Sequence, residues 1–218
     1  MQNGAMARRN RVDPFGDLHA VPQRGLFTGN RGCLVDARGR VVRHHRGDLW
    51  IICRTDFKDR RVGLARPNRW TPIFFLDDAV ALAAGHRPCG ECRRDAYLAY
   101  QGGVTAALGA ARPLPPREMN RRLHGERLGP GRGRGLDRGA TRPTWSAPAA
   151  DLPDGTVVVI GGTPHLLRAG VVRPFSFARW ARPRPAPNDD LTVLTPPTSV
   201  LALAHGFVPE LHASATRP

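Results

Sequence analysis

The sequence predicts an α+β chain built from a small four-cysteine α/β domain, a basic linker and a β-rich C-terminal module. Three observations lead to this prediction. A Cys-x-x-Cys pair, Cys89 and Cys92, follows a predicted strand and helix, and the chain contains two further cysteines. Glycine and arginine alternate over residues 129–139, a composition that is typical of a linker. From residue 151 onward, short apolar runs are separated by turn residues, which indicates β-hairpins.

The N-terminal half is expected to contain a basic arm and the cysteine-bearing domain. Residues 1–25 are basic and rich in turn formers, so we predict either an arm that follows DNA phosphates or a partly ordered terminus. Residues 26–101 contain several short β-rich runs and then a helix. Asp77 is a suitable N-cap for that helix, and Gly85 is a suitable residue to end it.

The C-terminal half is expected to begin with a connecting region. Residues 102–150 contain the Gly/Arg segment and a predicted helix, which the i,i+4 pairs Glu118–Arg122 and Arg122–Glu126 would support. Residues 151–218 are predicted to form the β-rich module, with a hairpin turn and one short helix near the end.

The charge of the chain indicates a polyanionic partner. The 218 residues carry 33 Lys and Arg against 18 Asp and Glu, a formal net charge of +15, and Lys58 is the only lysine. Such an excess is typical of nucleic-acid-binding proteins. The sequence has no apolar run long enough for a membrane span and no signal peptide at its start. We therefore expect a cytoplasmic, nucleoid-associated protein with no membrane partner.

Zn²⁺ is predicted as the cofactor from the spacing of the cysteines, Cys33-x19-Cys53-x35-Cys89-x2-Cys92. A Cys-x-x-Cys pair places two sulfurs on one ion, and a tetrahedral zinc site needs two more ligands. Cys33 and Cys53 are available for these positions, and the alternative ligands are His44, His45 and His86. Thiols stay reduced in the cytosol, which favours metal binding over disulfides.

The sequence around the cysteine pair carries a family resemblance. The segment reads Phe74-Phe75-Leu76-Asp77-Asp78-Ala79-x-x-Leu82-Ala83-Ala84-Gly85-His86-Arg87-Pro88-Cys89-x-x-Cys92-Arg93. It resembles the zinc-binding domain of the Ada family of bacterial alkylation-repair proteins, over about residues 48–97. Upstream, Cys53 and Arg54 match the family, whereas Phe57 stands where the family has another cysteine. The resemblance implies a zinc-stabilised domain with four cysteine ligands, and Cys33 is the expected replacement ligand.

The resemblance also implies a chemical role for one ligand. In that family the first cysteine of the upstream pair takes a methyl group from a DNA phosphotriester, and Cys53 is the matching position. The alternative is that Cys53 is a permanent zinc ligand.

The predicted function is DNA binding in repair or modification, with RNA as an alternative partner. Six arginines are expected to meet phosphates: Arg54, Arg87, Arg93, Arg94, Arg132 and Arg134.

Two alternatives to a DNA-binding protein stay open from the sequence. The first is a nucleic-acid-processing enzyme, either a glycosylase or a nuclease. Its candidate catalytic residues are Cys53, Glu118, His124 and Glu126. The second is an RNA- or ribosome-associated zinc protein.

Overall fold

A computed structural model describes residues 8–58, 60–61, 67–129 and 142–216. Over these ranges the chain forms two six-stranded sheets, a two-stranded ribbon and four α-helices, so the predicted mixture of α and β structure is confirmed. The strands are β1 (Arg11–Val12), β2 (Leu18–His19), β3 (Phe27–Asn30), β4 (Ile51–Arg54), β5 (Asp56–Phe57), β6 (Arg60–Arg61), β7 (Ile73–Phe75), β8 (Arg87–Pro88), β9 (Trp145–Pro148), β10 (Val157–Ile160), β11 (Thr163–Arg168), β12 (Val171–Pro174), β13 (Arg184–Pro185) and β14 (Asp190–Val193). The helices are α1 (Asp78–Ala83), α2 (Arg94–Ala107), α3 (Pro116–Arg127) and α4 (Pro197–Ala204).

The first sheet has the strand order β2-β1-β7-β3-β4-β8. Its central strand β3 pairs antiparallel with β7 and β4, while β1 pairs parallel with β7, and β8 parallel with β4. Strands β1 and β2 come from the segment that was predicted to be a basic arm. Val12 and Leu18 on these strands are buried in the core, so the two strands anchor this segment to the sheet and it does not form a free arm.

Helix α1 begins and ends as the sequence predicts. The Asp77 carboxylate accepts a hydrogen bond from the Val80 amide at 3.1 Å, which satisfies one of the open amides of the first turn. Gly85 ends the helix with φ of +85°, and a Cβ at this position would lie 2.6 Å from Cδ of Arg127. Glycine is therefore required here both by the backbone conformation and by the close approach of α3.

Helices α2 and α4 pack closely against each other. Tyr97, Tyr100 and Val104 lie at helical spacing on the buried face of α2. A Cβ on Gly103 would lie 2.7 Å from the carbonyl oxygen of Ala202, so the glycine allows the two helix backbones to approach. The Tyr100 hydroxyl also forms a 2.9 Å hydrogen bond with the Ser199 hydroxyl on α4.

The second sheet is an antiparallel meander, β10 to β13, with β14 and β9 added beside β10, in the order β13-β12-β11-β10-β14-β9. It contains the β-rich run predicted after residue 151. Its residues Val157 and Leu166, and Leu194 directly after β14, belong to the same hydrophobic core as the first sheet and helices α1 and α2. The structure differs here from the predicted division into a separate N-terminal domain and C-terminal module, because one core joins them.

The predicted Gly/Arg segment lies mostly outside the described residues, since the described ranges end at residue 129 and resume at residue 142. In the described ranges, no helix has both the length and the apolar composition that a membrane crossing needs.

Candidate metal centre and the arginines around it

Strand pairing brings three of the four cysteines together. Strands β4 and β8 are parallel, with Ile52 opposite Pro88, and the Cys89 amide donates to the Ile52 carbonyl at 3.0 Å. Cys53 therefore lies beside Cys89, and the tight turn that follows β8 adds Cys92. The three sulfurs lie within 4.8 Å of one another, so they can hold a metal ion.

Hydrogen bonds around the sulfurs favour the thiolate form at one position. The Glu91 amide donates to the sulfur of Cys89 at 3.4 Å. Hydrogen bonds with the thiols of Cys53 and Cys92 hold the pKa of Cys89 well below its ordinary value, while those with Cys89 and Cys92 raise the pKa of Cys53. The three thiols therefore interact through shared protons, which a bound cation would displace.

The structure places Cys33 outside this group, contrary to the expectation that it is the fourth ligand. Thr28 on β3 pairs with Cys53 on β4, and the antiparallel register then carries the chain away from Cys53 as it approaches Cys33. The Cys33 thiol instead donates to the carbonyl of Val35 at 3.6 Å. In the part of the chain that the structure describes, the group holds Cys53, Cys89 and Cys92 and no further Cys, His, Asp or Glu.

Two of the predicted DNA-contacting arginines are buried and serve the fold. Arg93 makes a bidentate ion pair with Asp78, with Nη2 donating to Oδ2 at 2.8 Å, and its guanidinium lies over the Phe27 ring. Arg87 donates to the side chain of Asn120 on α3 at 2.9 Å. Only 4% of Arg87 and 6% of Arg93 is exposed, so the expectation that these two side chains meet phosphates is wrong.

The other two described arginines of that set are exposed. Arg54 follows Cys53 directly, and its side chain is 50% exposed and lies 3.4 Å from Glu210. Arg94 begins α2 and is exposed. Arg132 and Arg134 lie outside the described residues.

The candidate acid and base residues of α3 have separate surroundings. Glu118 is exposed in the first turn of the helix. Glu126 accepts hydrogen bonds from the amide and the hydroxyl of Thr198, at 3.0 and 2.6 Å, and so stabilises the first turn of α4. His124 lies near His45, with 6.1 Å between their ring centroids, and Nδ1 of His45 is 3.2 Å from Nδ1 of His44.

A buried group of cations surrounds Trp50 and was not predicted from the sequence. The guanidinium carbons of Arg31 and Arg127 lie 4.5 and 3.9 Å from the ring centroid. Arg127 donates to the carbonyls of Gly85 and Asp48, both at 2.7 Å, which ties the end of α3 to two loops. Met119, Leu123 and Arg127 follow each other at i,i+4 spacing, so the position of Arg127 on the apolar face was readable from the sequence.

Burial sets the protonation of this group. It lowers the pKa of Arg31 to about 9 and holds the pKa of Arg127 well below its usual range. The Nε of Arg31 donates to Nε2 of His86 at 3.3 Å, so this imidazole nitrogen is an acceptor. Burial, together with the charges of Arg31 and Arg127, keeps the pKa of His86 well below its ordinary value, and the ring is therefore neutral.

Comparison of the chain with models of protein families, with curated proteins and with solved structures gave no match.

Proposed function

We propose that this chain is a zinc-containing DNA-binding protein that acts in DNA repair or modification. The observation that carries the proposal is the group of Cys53, Cys89 and Cys92, whose sulfurs lie within 4.8 Å of one another. Exposed Arg54 and Arg94 lie next to this group in the sequence. A formal net charge of +15 further supports a polyanionic partner.

Zinc is the metal that the donor set favours. Three thiols on a tight turn and an adjacent strand are soft ligands, and an amide that donates to a sulfur is a common outer contact of such sites. When bound, zinc supplies a positive charge that keeps the sulfurs deprotonated at neutral pH. The likeness of the Cys89–Cys92 segment to the Ada family supports both the metal and the DNA partner.

We assign Cys53 to permanent metal ligation, with methyl acceptance as the alternative. In the alternative, a bond forms between the Cys53 sulfur and the methyl carbon of a DNA phosphotriester. The methyl–oxygen bond breaks, and its electron pair stays on the phosphate oxygen, which leaves a diester and S-methylcysteine. This reaction happens once per chain, so mass spectrometry of protein incubated with methylated DNA distinguishes the two assignments.

The metal assignment predicts different outcomes for cysteines inside and outside the group. Purified protein should contain one zinc ion per chain, and Cys89→Ser or Cys92→Ser should lose it, because two thiols hold zinc far more weakly than three. Cys33→Ser is the matched control, since its thiol lies outside the group, and it should keep the metal. Elemental analysis and the visible spectrum of cobalt-substituted protein measure this. Loss of zinc in Cys33→Ser, or its retention in Cys89→Ser, would contradict the assignment.

The DNA assignment is tested on the zinc-loaded full chain. Fluorescence anisotropy with a labelled duplex should show binding that weakens steeply as salt increases, because bound cations leave the DNA when arginines replace them. A denaturing gel of the same DNA should show no strand cleavage. A product that grows with time and exceeds one per protein would favour an enzyme instead, with His45 and His124 as the first acid–base pair to substitute.

A further inference from the structure

The second sheet carries a cleft whose walls are rich in arginine. The cleft has a volume of about 460 Å³ and lies between β12, β13 and the chain segment that joins them. Four arginines line it, together with a tryptophan and a serine: Arg173, Arg179, Arg182, Arg184, Trp180 and Ser214.

The fold explains why these side chains converge. Val172 on β12 pairs with Arg184 on β13, so Arg184 and Arg173, the residue that follows Val172, lie on neighbouring strands at this edge of the sheet, and both line the cleft. Between the strands, the bridge from Phe175 to Trp180 and the 2.8 Å bond from the Ala181 amide to the Pro174 carbonyl turn the chain back on itself. The arginines on either side of this bridge, Arg179 and Arg182, thereby reach the same cleft as those of the strands.

The positive charge of the cleft is not balanced by acidic residues in its lining. The residues that line it include no Asp or Glu, and all of them are within the described ranges. Four guanidinium groups around one space repel each other, and this repulsion is relieved when an anion enters. The cleft is therefore suited to an anionic ligand.

One arginine has an unmet hydrogen bond. Arg173 is only 7% exposed, and its Nε, which is buried, has no hydrogen-bond partner in the part of the chain that the structure describes. A buried donor without an acceptor costs free energy. The other three arginines are exposed at the mouth, and Trp180 forms a rigid wall because its Nε1 donates to Asp77 at 2.6 Å.

We propose that this cleft binds phosphate groups of the DNA backbone and so forms a second DNA contact, apart from the cysteine group. A guanidinium presents paired N–H donors that match two oxygens of one phosphate, which makes arginine better suited than lysine to this ligand. Arg173 serves the base of the cleft, and Arg179, Arg182 and Arg184 serve its mouth. This inference rests on the proposed DNA-binding function.

The test compares two double variants that remove the same charge. Arg182→Gln/Arg184→Gln removes two exposed arginines of the cleft, and Arg112→Gln/Arg121→Gln removes two exposed arginines elsewhere. Circular dichroism and thermal unfolding establish that both fold as the wild type does. Anisotropy with duplex DNA is measured over a range of salt, and calorimetry measures binding of inorganic pyrophosphate.

We expect the cleft variant to lower the slope of log K against log salt by roughly 2, since each lost phosphate contact contributes about 0.9. The control variant should change the slope by much less. If the two variants bind DNA equally while the wild type binds it well, the cleft proposal is overturned and the DNA-binding function stands. If the wild type binds pyrophosphate through these arginines but does not bind DNA, the DNA-binding function is overturned, and the cleft is a site for a small phosphate ligand.

Discussion

The arginines near the cysteine group and those of the cleft in the second sheet differ in what they contact. Arg87 and Arg93, close to the cysteines in sequence, are buried and bonded to Asn120 and Asp78. The arginines at the mouth of the cleft are exposed, and no acidic residue shares the lining with them. Position in a basic motif thus says little about whether an arginine can reach a phosphate. Whether an arginine can reach a phosphate depends on the side chains that the fold places beside it.

The largest expected effect in this comparison is the loss of a buried ion pair. Arg93→Met leaves the Asp78 carboxylate, whose side chain is 0% exposed, without its cation. We expect this to reduce the free energy of unfolding by about 3–5 kcal/mol. Urea titration of the zinc-loaded protein measures the change.

The neighbouring residue provides the control for that prediction. Arg94 is exposed at the start of α2, so Arg94→Met should change the free energy of unfolding by less than about 0.5 kcal/mol. If Arg93→Met reduced the free energy of unfolding as little as Arg94→Met does, the ion pair of Arg93 with Asp78 would not stabilise the fold.

The next effect concerns the carboxylate that joins the two regions. Asp77 caps α1 and also accepts from Nε1 of Trp180 in the cleft wall, and burial raises its pKa from 3.8 to about 6. Between pH 3.8 and about pH 6, Asp77 is therefore protonated in the folded state and ionised in the unfolded state. Stability from this group is present below pH 3.8 and is lost as the pH rises through about 6, by roughly 3 kcal/mol.

The measurement compares the pH dependence of two proteins. Unfolding free energies between pH 4 and pH 6.5 should fall more steeply with rising pH for the wild type than for Asp77→Asn, which cannot titrate. Because both proteins share the cysteine group, its own pH dependence cancels in the difference. Parallel curves would mean that Asp77 is ionised throughout this range.

A smaller effect on stability than that of Asp77 is expected for an arginine that lies near the cysteines yet is exposed. Arg54 lies 3.4 Å from Glu210, and both side chains are about half exposed, so Arg54→Gln should cost less than about 1 kcal/mol of stability. We expect the same substitution to weaken DNA binding and to lower the salt slope by about 1. An unchanged DNA affinity would place the DNA surface away from the cysteine group.

Local features of the sequence predicted local parts of the structure. Asp77 and Gly85 marked the two ends of α1, because a cap and a positive φ depend on a few neighbouring atoms. The pairing of Cys53 with the Cys89 turn was reached from residue types and spacing, and the structure brings these sulfurs together.

Features that depend on strand register were not predictable in the same way. Cys33 was expected at the metal because it was the remaining cysteine. Its position is instead set by Thr28, five residues before it, which pairs with Cys53 across the sheet. The partners of Arg87 and Arg127 join α3 to segments far away along the chain, and no spacing rule reveals them. The cleft arginines converge through a turn between β12 and β13, where the sequence predicts only a β-rich module.

The parallel pairing of β4 with β8 also has a consequence for the order of folding. Cys89 and Cys92 are neighbours in the unfolded chain, whereas Cys53 is separated from Cys89 by 35 residues and meets it only when the two strands pair. Closing a loop of that length costs entropy in the unfolded chain. A metal ion that binds this group would therefore meet two sulfurs early and the third late, so the rate at which the third sulfur binds would report directly on the docking of these two strands.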